Sequence, residues 1–390
     1  MLAFALLPLT LAVDIHAAAR ACDLEGVRAA LNEGADPNVP GALGATPLHD
    51  AAWCGDVALV TLLLDHKANP NAAHSESGST PLHYAVLMDR QSAVELLLAR
   101  GADVKLTLRG GLTALHLASN RGSAEIARIL IAKGAPVGAR DATGSAPLDE
   151  ASRRGHAGLI RVLIDSGAQI NARNPETGQT PLHQAAVKGF DVAVESLLKA
   201  GADPTIRDNS GSTALDEALK YRQTRVIALL LDRSKPTPQQ LADAVSRGQA
   251  DIVTLLLDRG ADPKAPTKSG STLLHEAALR GHRDVCEKLI AAGLDPNARN
   301  TFGTTPLQEA ALAGKKETAA LLLAKGARID DSDVESGSTA LHLASGYGRK
   351  EVVELLLDRG ASRTLKNKAG RLALDLALES GFPDIAALLR

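Results

Sequence analysis

Eleven histidines stand in this 390-residue chain, and six of them, His49, His83, His116, His183, His275 and His342, occupy one recurring place, directly after a leucine and three residues after a threonine. Histidine near aspartate is the raw material of metal binding and of general acid–base catalysis. Spacing argues against a shared metal. His49, His83 and His116 lie 34 and 33 residues apart; if each sits in one layer of a stack, neighbours are ~8–10 Å apart, whereas zinc holds its nitrogen ligands at about 2.0–2.1 Å. The same place is taken by Asp149, Asp216, Ala242, Gln308 and Asp375 in other copies. Separate local hydrogen bonds tolerate such exchanges and a metal ladder does not. Carboxylates such as Asp65, Asp165, Asp258 and Asp358 also recur by period, as a solvated face does. No Gly-x-Ser-x-Gly elbow, His-Glu-x-x-His pair, phosphate-cradling glycine loop or EF-hand loop appears. No catalytic residue, metal or cofactor is expected, and a small enzyme or metal-binding protein using clustered His and Asp is the rival reading.

The three cysteines, Cys22, Cys54 and Cys286, have no Cys-x-x-Cys or zinc-finger spacing and read first as small buried apolar groups. Cys22 and Cys54 fall at nearly matching places in adjacent copies. Helix layers ~8–10 Å apart put them at or beyond the ~7 Å Cα limit for a disulfide, so a bridge forms only if the offset brings them inward.

The elements that carry these residues come from one repeated phrase. Thr46-Pro47-Leu48-His49 returns as Thr80-Pro81-Leu82-His83, Thr113-Ala114-Leu115-His116, Thr180-Pro181-Leu182-His183, Thr272-Leu273-Leu274-His275 and Thr339-Ala340-Leu341-His342. In the second copy Thr46 is the helix N-cap and Pro47 takes the first helical position, where a missing N–H is no loss. Leu48, Ala51 and Ala52 make one apolar face and Gly55 ends the helix; a second helix follows with Val60, Leu63 and Leu64 inward, then the turn Ala68-Asn69-Pro70-Asn71. Such a unit cannot bury its faces alone, so it needs neighbours. With 45% hydrophobic residues but only 2% aromatic, the interior is built of Leu, Ala, Val and Ile.

These residues resemble the ankyrin repeat family, whose pattern joins Thr-Pro-Leu-His, an Ala-Ala pair, a Leu-rich second helix and Gly-Ala-Asp, here Gly34-Ala35-Asp36, Gly101-Ala102-Asp103, Gly201-Ala202-Asp203 and Gly260-Ala261-Asp262. The resemblance runs from about residue 14 to 390. It implies an all-α, ankyrin-type helical repeat solenoid of about twelve helix-turn-helix units with short β-hairpin-like fingers. It also implies that the histidines join Thr and backbone groups of the adjoining turn, and that the usual work is binding other proteins.

Turn glycines mark the fingers: Gly44, Gly78, Gly111, Gly144, Gly178, Gly211, then Gly270, Gly303, Gly337 and Gly370, at intervals of 33 or 34 except for the 59 residues between Gly211 and Gly270. One finger is missing there. Residues 233–238, Arg-Ser-Lys-Pro-Thr-Pro, lead straight into Thr237-Pro238-Gln239-Gln240, itself a capping box. The expected organisation is a continuous array over 14–390 with this shortened connection. Before it, residues 1–13 are almost wholly apolar, too short to span a bilayer but of signal-peptide length, although no Lys or Arg precedes Arg20. Export to a periplasmic or extracellular location is favoured over the cytoplasm, with an end-packing helix or a misplaced start as the other readings.

Two residues before each turn should project from the first helix into the concave face, where the family resemblance places partners. The second of them reads Cys54, Met88, Arg121, Arg154, Lys188, Tyr221, Arg247, Arg280, Ala313 and Tyr347; the first supplies Trp53 and Leu87. On a chain with 43 Lys and Arg against 45 Asp and Glu, net charge −2, this is a segregated basic stripe beside an apolar patch. The expectation is a non-catalytic, monomeric scaffold without a stable membrane span that binds an acidic protein through Trp53, Leu87, Met88, Arg121, Arg154, Lys188, Tyr221, Arg247, Arg280 and Tyr347. The near-neutral charge and scarce aromatics speak against nucleic acid.

Overall fold

A computed structural model describes residues 14–41, 43–265 and 270–390. The apolar segment 1–13 and the question of its cleavage lie outside the described residues. Among these there are 24 helices in twelve antiparallel pairs and no strand, and the fingers carry only isolated antiparallel bridges, Thr107 with Thr113 and Ser332 with Thr339. No helix is long and apolar enough to cross a membrane.

The chain divides into two compact units, up to Leu229 and from Leu230. In the first, the helices Pro47–Cys54, Pro81–Leu87, Ala114–Arg121, Pro147–Arg154, Pro181–Lys188 and Ala214–Lys220 pack neighbour to neighbour in one row. Their partners Val57–Asp65, Gln91–Ala99, Ala124–Ala132, Ala157–Asp165 and Asp191–Lys199 form a second row behind. The second unit repeats both rows from Pro238–Ser246 onward.

Small side chains set the close approach within a row: Ala51, Ala52, Ala185, Ala186, Ala277, Ala278, Ala310 and Ala311 are fully buried, with Leu48, Leu59, Val60 and Leu63 filling the space between rows. Where a first helix ends, the chain must enter the left-handed region. At Gly155 φ is 77°, and a Cβ there would meet the Phe190 ring of the next repeat at 2.6 Å.

The repeated histidines are cross-repeat struts. His116 Nδ1 accepts from the Thr113 backbone N–H at 3.1 Å, and its Nε2 lies 3.1 Å from the Ser145 carbonyl 29 residues on. His49, His183, His275 and His342 make the same bond to Ser79, Ser212, Thr304 and Arg371 at 2.8 to 3.1 Å. His83 keeps its bond to Thr80, but among the described residues its Nε2 lacks the bond that the other five make. Gln308 reproduces the strut with an amide, Nε2 donating to the Ser338 carbonyl at 2.7 Å; in the eighth copy the histidine place belongs to Gln240, whose Oε1 accepts from the Thr237 N–H at 2.9 Å, and not to Ala242, because the helix starts at Pro238. Burial lowers the pKa of all six histidines, to about 4 for His49 and His83.

Fingers are sewn tip to tip by backbone bonds: Arg109 N to Ser77 O at 2.6 Å, Ala142 N to Gly110 O at 2.7 Å and Asn209 N to Thr177 O at 3.0 Å in the first unit, Lys368 N to Ser336 O at 2.9 Å in the second. Residues 66–80 separate the helices Val57–Asp65 and Pro81–Leu87, whereas only residues 232–237 separate Thr224–Leu231 from Pro238–Ser246.

Cys22 and Cys54 form a disulfide across a Cα separation of 6.1 Å. The offset comes from Cys22 standing where most other copies have the glycine that ends the first helix, as Gly55 does, in the left-handed conformation at φ 56°, while Cys54 is the last residue of its helix. Cys286 is fully buried and burial pushes its thiol up to about 12; it is a packing residue.

Candidate partner-binding face

Because the first helices lie in register, their residues just before the turn form a row. Trp53 is 44% exposed and meets the Tyr84 ring edge to face at 5.9 Å between centroids. Tyr84 in turn stacks on His74 at 6.4 Å and abuts His49 at 5.2 Å. The Trp53 carbonyl accepts from Arg90 Nε at 3.2 Å, which pins the helix end that carries the indole. Leu87 is exposed and Met88 half-buried beside it. This patch is an aromatic and aliphatic cluster supported from behind by two histidines, and Tyr84 and His74 were not among the residues picked from sequence. The signal available for Tyr84 was an aromatic directly after the strut histidine His83, in a chain with three tyrosines.

Arg121, Arg154 and Lys188 follow along the row in the same unit, all exposed, and among the described residues no carboxylate lies within 4.0 Å of them. Other cations are neutralised by carboxylates placed directly after the strut position. Arg153 pairs with Glu150, which is 3% exposed and also accepts from Asn120 Nδ2 at 3.0 Å. Lys220 lies 4.0 Å from Glu217, and its Nζ stands 5.3 Å from the ring centroid of exposed Tyr221. Asp50 lies 4.0 Å from Arg20 and 3.9 Å from His16; burial raises its pKa while these two groups oppose the rise.

In the second unit Arg247 is exposed, whereas Arg280 is paired with Glu276 one turn back, so it is a neutralised cation. Glu309, in the next repeat, has its pKa raised by burial and by Glu276. Ala313 carries no charge, and Tyr347 is 58% exposed. The basic character expected from sequence is therefore concentrated in Arg121, Arg154 and Lys188 of the first unit, with Arg247 in the second. Among the described residues no three His, Cys, Asp or Glu side chains are grouped to hold a metal ion.

A row of three unpaired cations next to a supported indole offers directional charge and one anchor. It offers no nucleophile–base pair.

Comparison with known proteins adds the lineage. A family model described as ankyrin repeats matches residues 15–108, 101–174, 173–240, 241–333 and 331–390. Among similar proteins are human BCL-6 corepressor-like protein 1, 35% identical over 109 residues (26% of this chain, 6% of that protein), and the mouse B-cell lymphoma 3 protein homolog, 37% identical over 110 residues (25% of each). Protein PhlB of Serratia liquefaciens is 44% identical over 87 residues, 22% of this chain and 38% of that protein. The matched segments thus span well under two thirds of each relative.

Proposed function

Since the chain belongs to the ankyrin-repeat family, whose members generally act as protein-binding scaffolds, we propose that it holds an acidic protein partner on the first-helix face of its first unit. The observation that carries this reading is the row Arg121, Arg154 and Lys188, exposed and without carboxylate partners among the described residues, beside Trp53, Leu87 and Met88. The indole and the two aliphatic side chains supply the desolvated anchor, and the cations steer an anionic surface toward it. Tyr221 extends the row in this unit; Arg247, Arg280 and Tyr347 occupy the matching places of the second unit and offer a weaker, partly neutralised surface. No chemistry is performed on the partner.

The Cys22–Cys54 bridge supports a working place in an oxidising compartment, in line with an exported chain.

The test uses the partner recovered with the intact chain. Reversing Arg154 and Lys188 to Glu is expected to slow association about tenfold and to flatten its salt dependence. Trp53→Ala is expected to cost about 2 kcal/mol or more of affinity, seen as faster dissociation. An association rate and salt response that stay unchanged in the double reversal would move the site away from this face.

A further inference from the structure

The first two repeats are joined differently from the rest. His16 holds the strut place of the first copy, six residues before Cys22 as His49 stands six before Gly55. Its ring does not carry the strut: among the described residues Nε2 is buried without a hydrogen-bond partner, and Nδ1 lies 3.9 Å from Asp50. In its place the Cys22–Cys54 bridge fastens the first helix pair to the second. Helices as short as Ile15–Arg20 and Leu24–Asn32 do not persist in water by themselves, so they depend on this docking.

The bridge also sits on the candidate partner-binding face. Cys54 occupies the row position that is Met88, Arg121, Arg154 and Lys188 in the following copies, directly after Trp53. Cys22 is exposed and Cys54 half-buried, so Cys22 is the side open to attack. Each sulfur has an acceptor nearby for the thiol it would become: Cys22 Sγ lies 4.0 Å from the Arg20 carbonyl and Cys54 Sγ 3.7 Å from the Ala19 carbonyl. Nor does the backbone need the bond, because Asp89 and Arg222, at the same turn position, hold the left-handed conformation of Cys22 at φ 57° and 55° without a bridge. Cys286, buried and with its thiol pushed up to about 12 by burial, is shut out of such chemistry.

Opening the bridge reaches the indole through Asp50, which stands three residues before Trp53 on the helix Pro47–Cys54, one turn away. The cations beside Asp50, His16 at 3.9 Å and Arg20 at 4.0 Å, both belong to the first repeat. The Asp50 charge is felt in the aromatic cluster, where burial and then Asp50 raise the pKa of the Tyr84 hydroxyl. When the first pair swings away, Asp50 loses both cations and is left as a bare anion beside the indole.

We propose that Cys22–Cys54 is a thiol–disulfide exchange site opened by a dithiol, and that its opening frees the first helix pair and bares Asp50 beside Trp53, so that an acidic partner is held by the bridged form and released by the reduced one. The release rests on the partner-binding reading above; the exchange and the uncovering of Asp50 do not. A thiolate of the dithiol attacks Cys22 Sγ; the Cys22–Cys54 bond breaks, and Cys54 leaves as a thiolate that takes a proton from water. The second thiolate of the dithiol then attacks its own sulfur in the mixed disulfide, and Cys22 leaves in the same way. Two electrons pass from the dithiol, which ends as a disulfide, to the bridge, which ends as two thiols.

Trp53 is the sole tryptophan, so its fluorescence tests the proposal on the full chain with no partner present. Dithiothreitol is added without denaturant, free thiols are alkylated, and the labelled peptides are read by mass spectrometry. Labels are expected on Cys22 and Cys54, with Cys286 labelled only after unfolding; a bridge that opens only together with labelling of Cys286 would overturn the exchange site. Quenching of Trp53 by iodide, divided by quenching by neutral acrylamide, reads the charge beside the indole. Reduction is expected to lower this ratio about twofold, since a unit charge one helical turn away repels the anion through water. Cys54→Ser should show the low ratio without reductant, and Asp50→Asn should show no drop on reduction. A ratio unmoved by reduction, or a drop that persists in Asp50→Asn, would overturn the link to Trp53. If the ratio falls as expected but the partner recovered with the intact chain binds both forms alike, the exchange site stands and the acidic-partner reading of this face fails.

Discussion

His116 Nδ1 faces the Thr113 N–H at 3.1 Å and Nε2 faces the Ser145 carbonyl at 3.1 Å, which places the single ring proton on Nε2 and keeps the imidazole neutral. Replacing the ring by Ala strands the buried Thr113 N–H, removes one of the two donors to the Ser145 carbonyl and opens a cavity, so His116→Ala should cost about 2–4 kcal/mol. His116→Gln should cost about 1 kcal/mol or less, because Gln308 already makes the same bond in its own repeat. Equal losses for the two variants, measured by chemical denaturation, would mean that ring volume and not the strut matters. The histidines also set a pH response. Their folded pKa lies below the usual 6.5, at about 4 for His49 and His83, so between those values the unfolded chain binds more protons and stability falls on acidification. Asp149, raised to about 6, acts oppositely: it favours the folded state as pH drops from about 6 toward 4. Asp50 and Glu309, raised by burial as well, act in the same sense as Asp149; six lowered histidines outnumber these three carboxylates and predict a midpoint temperature that drops between pH 7 and pH 4.5, whereas a flat or rising profile would contradict the struts.

At the scale of the element, the first helix pair, Ile15–Arg20 and Leu24–Asn32, is flanked by described structure on one side only and is held to the next by the Cys22–Cys54 bridge. Arrays hold their repeats through neighbour contacts, and the bridge adds a covalent link to one of them. Closing a loop with a sequence separation of 32 restricts the unfolded chain by about 3–4 kcal/mol in the entropic account. Reduction, or Cys54→Ser, should therefore speed amide hydrogen exchange in residues 15–32 and leave the helices from Ala114 onward unchanged. Exchange that accelerates evenly along the chain would show that the bridge holds more than its own repeat.

For the whole molecule the key place is residues 232–237, which carry no finger and hence none of the tip-to-tip backbone bonds seen at Arg109, Ala142, Asn209 and Lys368. The two compact units divide nearby, at Leu229 and Leu230. Stability in an array is close to a sum of repeat and interface terms, so a joint with fewer bonds should open first. Brief trypsin treatment is expected to cut after Arg233, Lys235 being shielded by Pro236, and to leave fragments ending at 233 and beginning at 234. First cutting inside another finger would place the weak point elsewhere.

The period, the helix pairs, their caps and the turn positions were legible in the sequence because they depend on spacings of three, four and about 33 residues along one chain. Several ion pairs shared that legibility: Glu150–Arg153 and Glu276–Arg280 follow from helical spacing once the helices are assigned. Distances between repeats did not, since they depend on how far one layer is offset from the next. That offset decided the Cys22–Cys54 bridge, gathered Tyr84 and His74 behind Trp53, and left Asp149 Oδ1 without a partner. A repeat pattern specifies what each layer is made of; which atoms of two layers meet is settled only when the layers pack.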